Sequence, residues 1–208
     1  MVKVIFMGDS IVQYMPYTID KSMKRGFNVP MISPKLSNYD IVYYICGIEN
    51  IGIGSYHNYI WNQISNKEID CYMLLIGINN ILRPDCDYDG KQTLYDILDK
   101  LRNFIEDIMK NGKALFVQSI YPTDKIKINS QIIKINEFIS NYCKENNICY
   151  IDMYNLRVSN NGKINPLYSD DGIHPNEYGY RMIINEMSNK IQQNNKRFIK
   201  RISYKRGE

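Results

Sequence analysis

The chain has 208 residues, of which 44% are hydrophobic, and a net charge of +4, as expected for a single soluble domain with a sizeable core. No run approaches the roughly 18 uninterrupted apolar residues of a membrane span. The start of the chain lacks the apolar core and small-residue cleavage site of a signal peptide, so a cytoplasmic protein is expected. The charge is uneven: residues 190–208 hold seven of the 26 basic residues but one of the 22 acidic ones. The chain therefore divides into a near-neutral body, 1–189, and a basic C-terminal tail, 190–208. Such a tail can touch nucleic acid or anionic lipid, but a solvated or frayed terminus is the simpler expectation. Ile199 and Ile202 could equally dock it onto the body.

Strand-like and helix-like segments alternate from the N-terminus onward. Val2–Met7 is β-branched and aromatic and stops at Gly8-Asp9-Ser10, where Ser10 can cap a following helix or act as a nucleophile. Further strands are expected at Ile41–Cys46, Cys71–Ile76, Ala114–Ile120 and Ile148–Asp152. Each is short and apolar on both faces, as in a parallel sheet buried on both sides. Between them, Thr93–Asn111 carries Leu94, Ile97, Leu98, Leu101, Phe104, Ile105, Ile108 and Met109 at helical spacing and ends at Asn111-Gly112. A second helix is expected from about Asn129 to Asn147. A third opens after Pro175-Asn176, with Asn176 as its cap. Alternation of this kind predicts one α/β domain: a five-stranded parallel sheet with helices on both faces.

The five cysteines (Cys46, Cys71, Cys86, Cys143, Cys149) are scattered. No CxxC pair or Cys/His cluster has zinc spacing, so neither a disulfide framework nor a metal is expected.

Ligands of parallel sheets bind at the carboxyl ends of the strands, and those ends carry a short set of polar residues. They are Gly8-Asp9-Ser10, Asn50 to Ser55, Gly77-Ile78-Asn79-Asn80, and Asp171-Gly172-Ile173-His174-Pro175. The chain has two histidines. His57 has no acid near it in sequence and sits on the aromatic segment Tyr56–Trp61, which suits packing or surface. His174 follows Asp171 by three residues, so the carboxylate can accept from one imidazole nitrogen and leave the other to take a proton. A surface turn in which Asp171 caps the next helix reads equally well. A serine hydroxyl needs such a base to become a nucleophile. The Asn79 amide and backbone N–H groups at Ser10 and Gly54-Ser55 could steady the negative charge that acyl transfer builds.

Gly8-Asp9-Ser10, Asn50-x-Gly52-x-Gly54, Gly77-x-Asn79-Asn80 and Asp171-x-x-His174-Pro175 resemble, in order and separation, the four blocks of the SGNH hydrolases, or GDSL esterases/lipases. The resemblance runs from Val2 to about Glu186. It implies a flavodoxin-like three-layer α/β/α fold and ester hydrolysis without metal or other cofactor. It implies Ser10 as nucleophile and first oxyanion donor, His174 as base, Asp171 as its orienting partner, and the Asn79 amide as a second donor. The family's second block usually ends in a glycine whose N–H is a third donor. Ser55 stands in that place after Gly54, and either could supply the group. The third block usually reads Asn-Asp, and Asn80 in the Asp position is expected to alter the loop more than the chemistry.

The expected substrate is a small intracellular ester, such as an O-acetylated sugar. The polar and aromatic stretches Tyr56–Tyr59 and Arg83–Tyr88 suit a sugar better than a long acyl chain, though ordinary loop structure would explain them as well. The alternatives are a lysophospholipase or acyl-thioester hydrolase. Outside enzymes they are a module whose Asn50–Ser55 loop cradles a phosphate, or a scaffold that holds nucleic acid by its tail. The oligomeric state is not legible.

Overall fold

Val4, Ile5, Phe6 and Met7 sit in the middle of the first strand and are buried on both faces. This is why a β-branched and aromatic run with no polar alternation forms a central strand. The computed structural model describes residues 2–19, 29–31, 41–87 and 90–205, with the backbone alone for 29–31 and 195–205. The described strands are β1 (Val2–Gly8), β2 (Val29–Met31), β3 (Ile41–Gly47), β4 (Cys71–Leu75), β5 (Ala114–Gln118) and β6 (Cys149–Ile151). They form one sheet in the order β2-β3-β1-β4-β5-β6.

Five of these strands are parallel and match the expected set, each ending within two residues of its expected bounds. The structure adds β2, which pairs antiparallel to β3 at the edge. The chain moves from β1 to β3 on one side and then crosses to β4 on the other, so the order switches at β1. Gly8 is in register with both Gly47 and Leu75, so the carboxyl ends of β1, β3 and β4 finish side by side at that switch.

The helices are α1 (Ser10–Ile19), α2 (Ile53–Tyr56), which runs through a π-helical turn (His57–Trp61) into α3 (Asn62–Ile64), then α4 (Ile78–Leu82), α5 (Leu94–Lys110), α6 (Ile126–Glu145) and α7 (Glu177–Lys205). α1 packs with α7, while α2 and α6 pack against α5, so helices cover both sheet faces.

α5 starts where its sequence says it should. Thr93 Oγ1 accepts the Asp96 N–H at 3.3 Å and the Asp96 carboxylate accepts the Thr93 N–H at 2.7 Å, a complete capping box. Its stripe Ile97, Leu101, Phe104, Ile105 and Ile108 is buried, each side chain contributing about 1.5–3 kcal/mol. α6 begins three residues before the expected Asn129. Asn129 and Asn136 lie within its buried stripe because their amides satisfy loop backbone: Asn136 bonds the N–H and the C=O of Ile120, both at 2.8 Å. α7 opens as expected, with Asn176 Oδ1 accepting the Gly179 N–H at 3.0 Å. Its backbone is helical through the basic tail as far as Lys205. The side chains of Ile199, Ile202 and most of the tail lie outside the described residues.

Candidate active site

At the end of β1 the chain turns straight into α1, and the cap is Asp9. Its Oδ1 accepts the Ile11 N–H at 3.0 Å, and its carbonyl accepts from Val12 and Gln13. Ser10 is thereby the first helical residue, and its hydroxyl is left for another partner. That partner is His174: Ser10 Oγ and His174 Nε2 are 2.9 Å apart, across 164 positions of sequence. His174 Nδ1 lies 2.7 Å from Asp171 Oδ2. A carboxylate can only accept, so Nδ1 carries the hydrogen and Nε2 is the basic nitrogen facing Ser10.

The loop bearing the pair is built for this contact. Gly172 takes φ +78° and its carbonyl accepts the Asp124 N–H at 2.9 Å; a side chain there would be strained and would meet Asp124. Asp171 Oδ1 also accepts the backbone N–H groups of Ile173 and His174, at 2.9 and 2.7 Å. Burial pushes the Asp171 carboxyl up. The hydrogen bonds from the His174 ring and from these N–H groups outweigh burial and hold it below the ordinary carboxylate range. The Tyr14 ring, from α1, lies 5.1 Å from the His174 ring. Tyr180 ties α7 to α1 by donating its hydroxyl to the Ile11 carbonyl at 2.6 Å.

Asn79 stands at the end of β4 after Gly77, whose φ of +125° makes the turn. Its Nδ2 donates one hydrogen to the Ile51 carbonyl at 2.9 Å, leaving the second hydrogen of that amide. The Gly54 and Ser55 N–H groups, the other expected donors, lie in the first turn of α2 beside Asp87. Ser55 N–H donates to Asp87 Oδ1 at 2.9 Å, and the Gly54 N–H points to the same carboxylate. α2 begins at Ile53, and the Ile53 and Ser55 N–H groups of its first turn are taken by neighbouring side chains. The Ile53 N–H goes to Asn80 Oδ1 at 3.0 Å. With a carboxylate and an amide oxygen filling these groups, the same loop is no cradle for a phosphate.

The stretch Tyr56–Tyr59 also reads differently in three dimensions. Tyr56 is buried in the core, its hydroxyl donating to the Cys46 carbonyl at 2.6 Å. His57 stacks on Phe104, as packing would have it, and also pairs with Asp107 at 2.8 Å. That acid comes from α5, fifty residues on, which local sequence cannot show. Of Tyr56–Tyr59, the surface is left mainly to Asn58 and Tyr59.

Asp9 carries a further consequence. It is 1% exposed, and its Oδ2 has no hydrogen-bond partner among the described residues. Burial pushes its pKa up to about 7, against smaller lowering effects of the N–H groups of Ile11, Asp9 and Gly77. An unfolded Asp titrates near 3.9. Between these values the native chain holds a proton that the unfolded chain has released, so this group's contribution to stability falls as pH rises from about 4 to about 7. Asp9→Asn keeps an acceptor for Ile11 and removes the titration. Relative to wild type, the variant should gain on the order of 4 kcal/mol between pH 4 and 8. Denaturant midpoints at several pH values would check this, and a constant gap would refute it.

The GDSL-like Lipase/Acylhydrolase family matches residues 6–182 of the chain. Among curated proteins no match is found. Solved structures with the same fold include a GDSL-like lipase from Bacteroides thetaiotaomicron, at 18% identity and TM-score 0.74, covering 92% of this chain and 88% of that one. An acetyl xylan esterase, AlAXEase, aligns at 20% identity and TM-score 0.71 over 91% of this chain and 100% of its own. A lipase/acylhydrolase from Enterococcus faecalis aligns at 15% identity and TM-score 0.67 over 93% and 96%. Since the family match spans most of the sequence, and the sheet and its helices follow the same plan as these structures, the chain belongs to the GDSL-like lipase/acylhydrolase family and is a carboxylic ester hydrolase.

Proposed function

We propose that the chain removes a small acyl group, acetyl foremost, from a sugar or another small alcohol through an acyl-serine intermediate. The observation that carries this reading is the Ser10–His174–Asp171 chain, with contacts of 2.9 and 2.7 Å. Ser10 Oγ attacks the ester carbonyl carbon as its proton passes to His174 Nε2. Asp171 stays a carboxylate and steadies the imidazolium, in keeping with its lowered pKa. The Ser10 N–H and the second hydrogen of the Asn79 amide receive the developing oxyanion. The carbon–oxygen bond to the alcohol then breaks, and His174 returns the proton to the leaving oxygen. A water molecule repeats the attack on the acyl carbon with His174 as base, freeing the acid and restoring Ser10.

The sugar reading rests on aromatic surface beside the base. Tyr14 adjoins the His174 ring. Tyr168 and Tyr178 stack at 5.6 Å on the segments flanking Asp171 and His174, with Tyr178 exposed. Such rings offer flat apolar faces with polar tips. The shared fold of the acetyl xylan esterase is consistent with it.

A fluorophosphonate probe tests the mechanism. The Ser10 Oγ–P bond should form as fluoride leaves, with peptide mapping placing the adduct on Ser10 in the wild type and none in His174→Ala. Labelling elsewhere, or undiminished in His174→Ala, would sink the assignment. The same preparation assayed on 4-nitrophenyl esters of increasing length should act on acetate and fall steeply thereafter. A maximum at long chains would instead indicate a lysophospholipase or acyl-thioester hydrolase.

A further inference from the structure

Asp87 is outside every block that relates this chain to its family, yet its carboxylate is a point of convergence for the loop beside Ser10. Its side chain is 1% exposed. Oδ1 accepts the Ser55 N–H at 2.9 Å; Oδ2 accepts from Asn80 Nδ2 at 2.7 Å, Lys100 Nζ at 3.1 Å and Gln92 Nε2 at 3.2 Å. Gly52 is shaped to receive it, since a Cβ on that residue would lie 2.2 Å from Asp87 Oδ1. Asn80 completes the clamp by accepting the Ile53 N–H and donating to Asp87. The loop so held, Ile51 to Ser55, contains the carbonyl that takes one hydrogen of the Asn79 amide.

We propose that Asp87 is a positioning residue for the reaction: together with Asn80 it fixes the Ile51–Ser55 loop, and through the Ile51 carbonyl it aims the Asn79 amide at the developing oxyanion. The family's usual Asp beside Asn79 is absent here, and a carboxylate seven residues further on supplies the negative charge to the same loop. Asp87 touches no reacting atom and acts only through Asn79. The proposal rests on Ser10 as nucleophile and Asn79 as donor.

The test compares four variants on 4-nitrophenyl acetate: Ser10→Ala, Asp87→Ala, Asp87→Asn, and the exchange Asn80→Asp/Asp87→Asn. Asp87→Ala should lose about ten- to a hundred-fold in kcat with KM within about twofold, as expected for a transition-state donor displaced by a fraction of an ångström. If Asp87→Ala does not fold, Asp87→Asn takes its place. It keeps an acceptor for the Ser55 N–H but loses the charge, and should lose about tenfold in kcat. The exchange variant returns a carboxylate to the loop and should recover to within about fivefold of wild type. Wild-type kcat in a folded Asp87→Ala or Asp87→Asn protein overturns the proposal. So does an exchange variant that folds but stays as slow as Asp87→Asn. Failure of the underlying reading would show separately, as activity retained by Ser10→Ala.

Discussion

Ser10→Ala is expected to lower kcat on 4-nitrophenyl acetate by on the order of 10⁴- to 10⁶-fold, the range seen when an acyl-transfer serine is removed. The protein should stay folded. Ser10 is the first residue of α1, where alanine is a good helix former, and Asp9 rather than Ser10 supplies the cap. What is lost is one hydroxyl and its 2.9 Å contact with His174. Thermal unfolding monitored by circular dichroism should therefore shift by no more than about 2–4 °C, the equivalent of about 1 kcal/mol for a domain of this size. A variant that keeps more than a tenth of wild-type activity would end the acyl-serine reading, whatever its stability.

Gly8→Ala has the opposite profile, a large loss of stability at a residue with no chemistry of its own. A Cβ at Gly8 would lie 1.9 Å from the Leu75 carbonyl oxygen and 2.6 Å from Val12 Cγ2. The oxygen is backbone, held in β4 by its pairing with β1, so it cannot swing aside. Separating the strand ends should cost about 4 kcal/mol or more, a large part of the 5–15 kcal/mol available to a typical domain. The melting temperature should drop by about 10 °C or more, or the protein should fail to accumulate. Gly162→Ala is the comparison: φ is +76° there, but nothing lies within 4 Å of the added atom, so only backbone strain of about 1–2 kcal/mol applies. Equal shifts in the two variants would refute the close-contact account of Gly8.

These two residues mark what could and could not be read before the fold was known. Gly8 and Ser10 belong to a local pattern, an apolar run broken by small polar residues, and Asp171 and His174 sit close enough in sequence to suggest a pair. The five parallel strands were legible for a similar reason: strands buried on both faces have no polar alternation to confuse with anything else. β2 was not, because three residues containing Pro30 carry no periodicity, and an edge strand needs little. Asp107 and Asp87 escaped for another reason. Each meets its partner only after helices pack, Asp107 reaching His57 from α5 and Asp87 reaching Ser55 across 32 positions. Asp87 also lay within a polar stretch that suggested contact with a ligand, whereas the fold turns it inward. The place of Gly54 and Ser55 in the first turn of α2 was not legible either, since a helix start is difficult to locate in a segment with no side-chain cap of its own.

The hydrogen bond between Ser10 and His174 joins the first helix of the chain to the entrance of the last. It closes only when α7 has docked on α1, where Tyr180 reaches the Ile11 carbonyl across 169 positions. Contacts of such long separation slow folding, because the loop-closure entropy must be met first. On the proposed mechanism, a chain in which α7 has not docked on α1 holds Ser10 without its base. Fluorophosphonate labelling of Ser10 would, on the same mechanism, therefore report that the two ends of the domain have met.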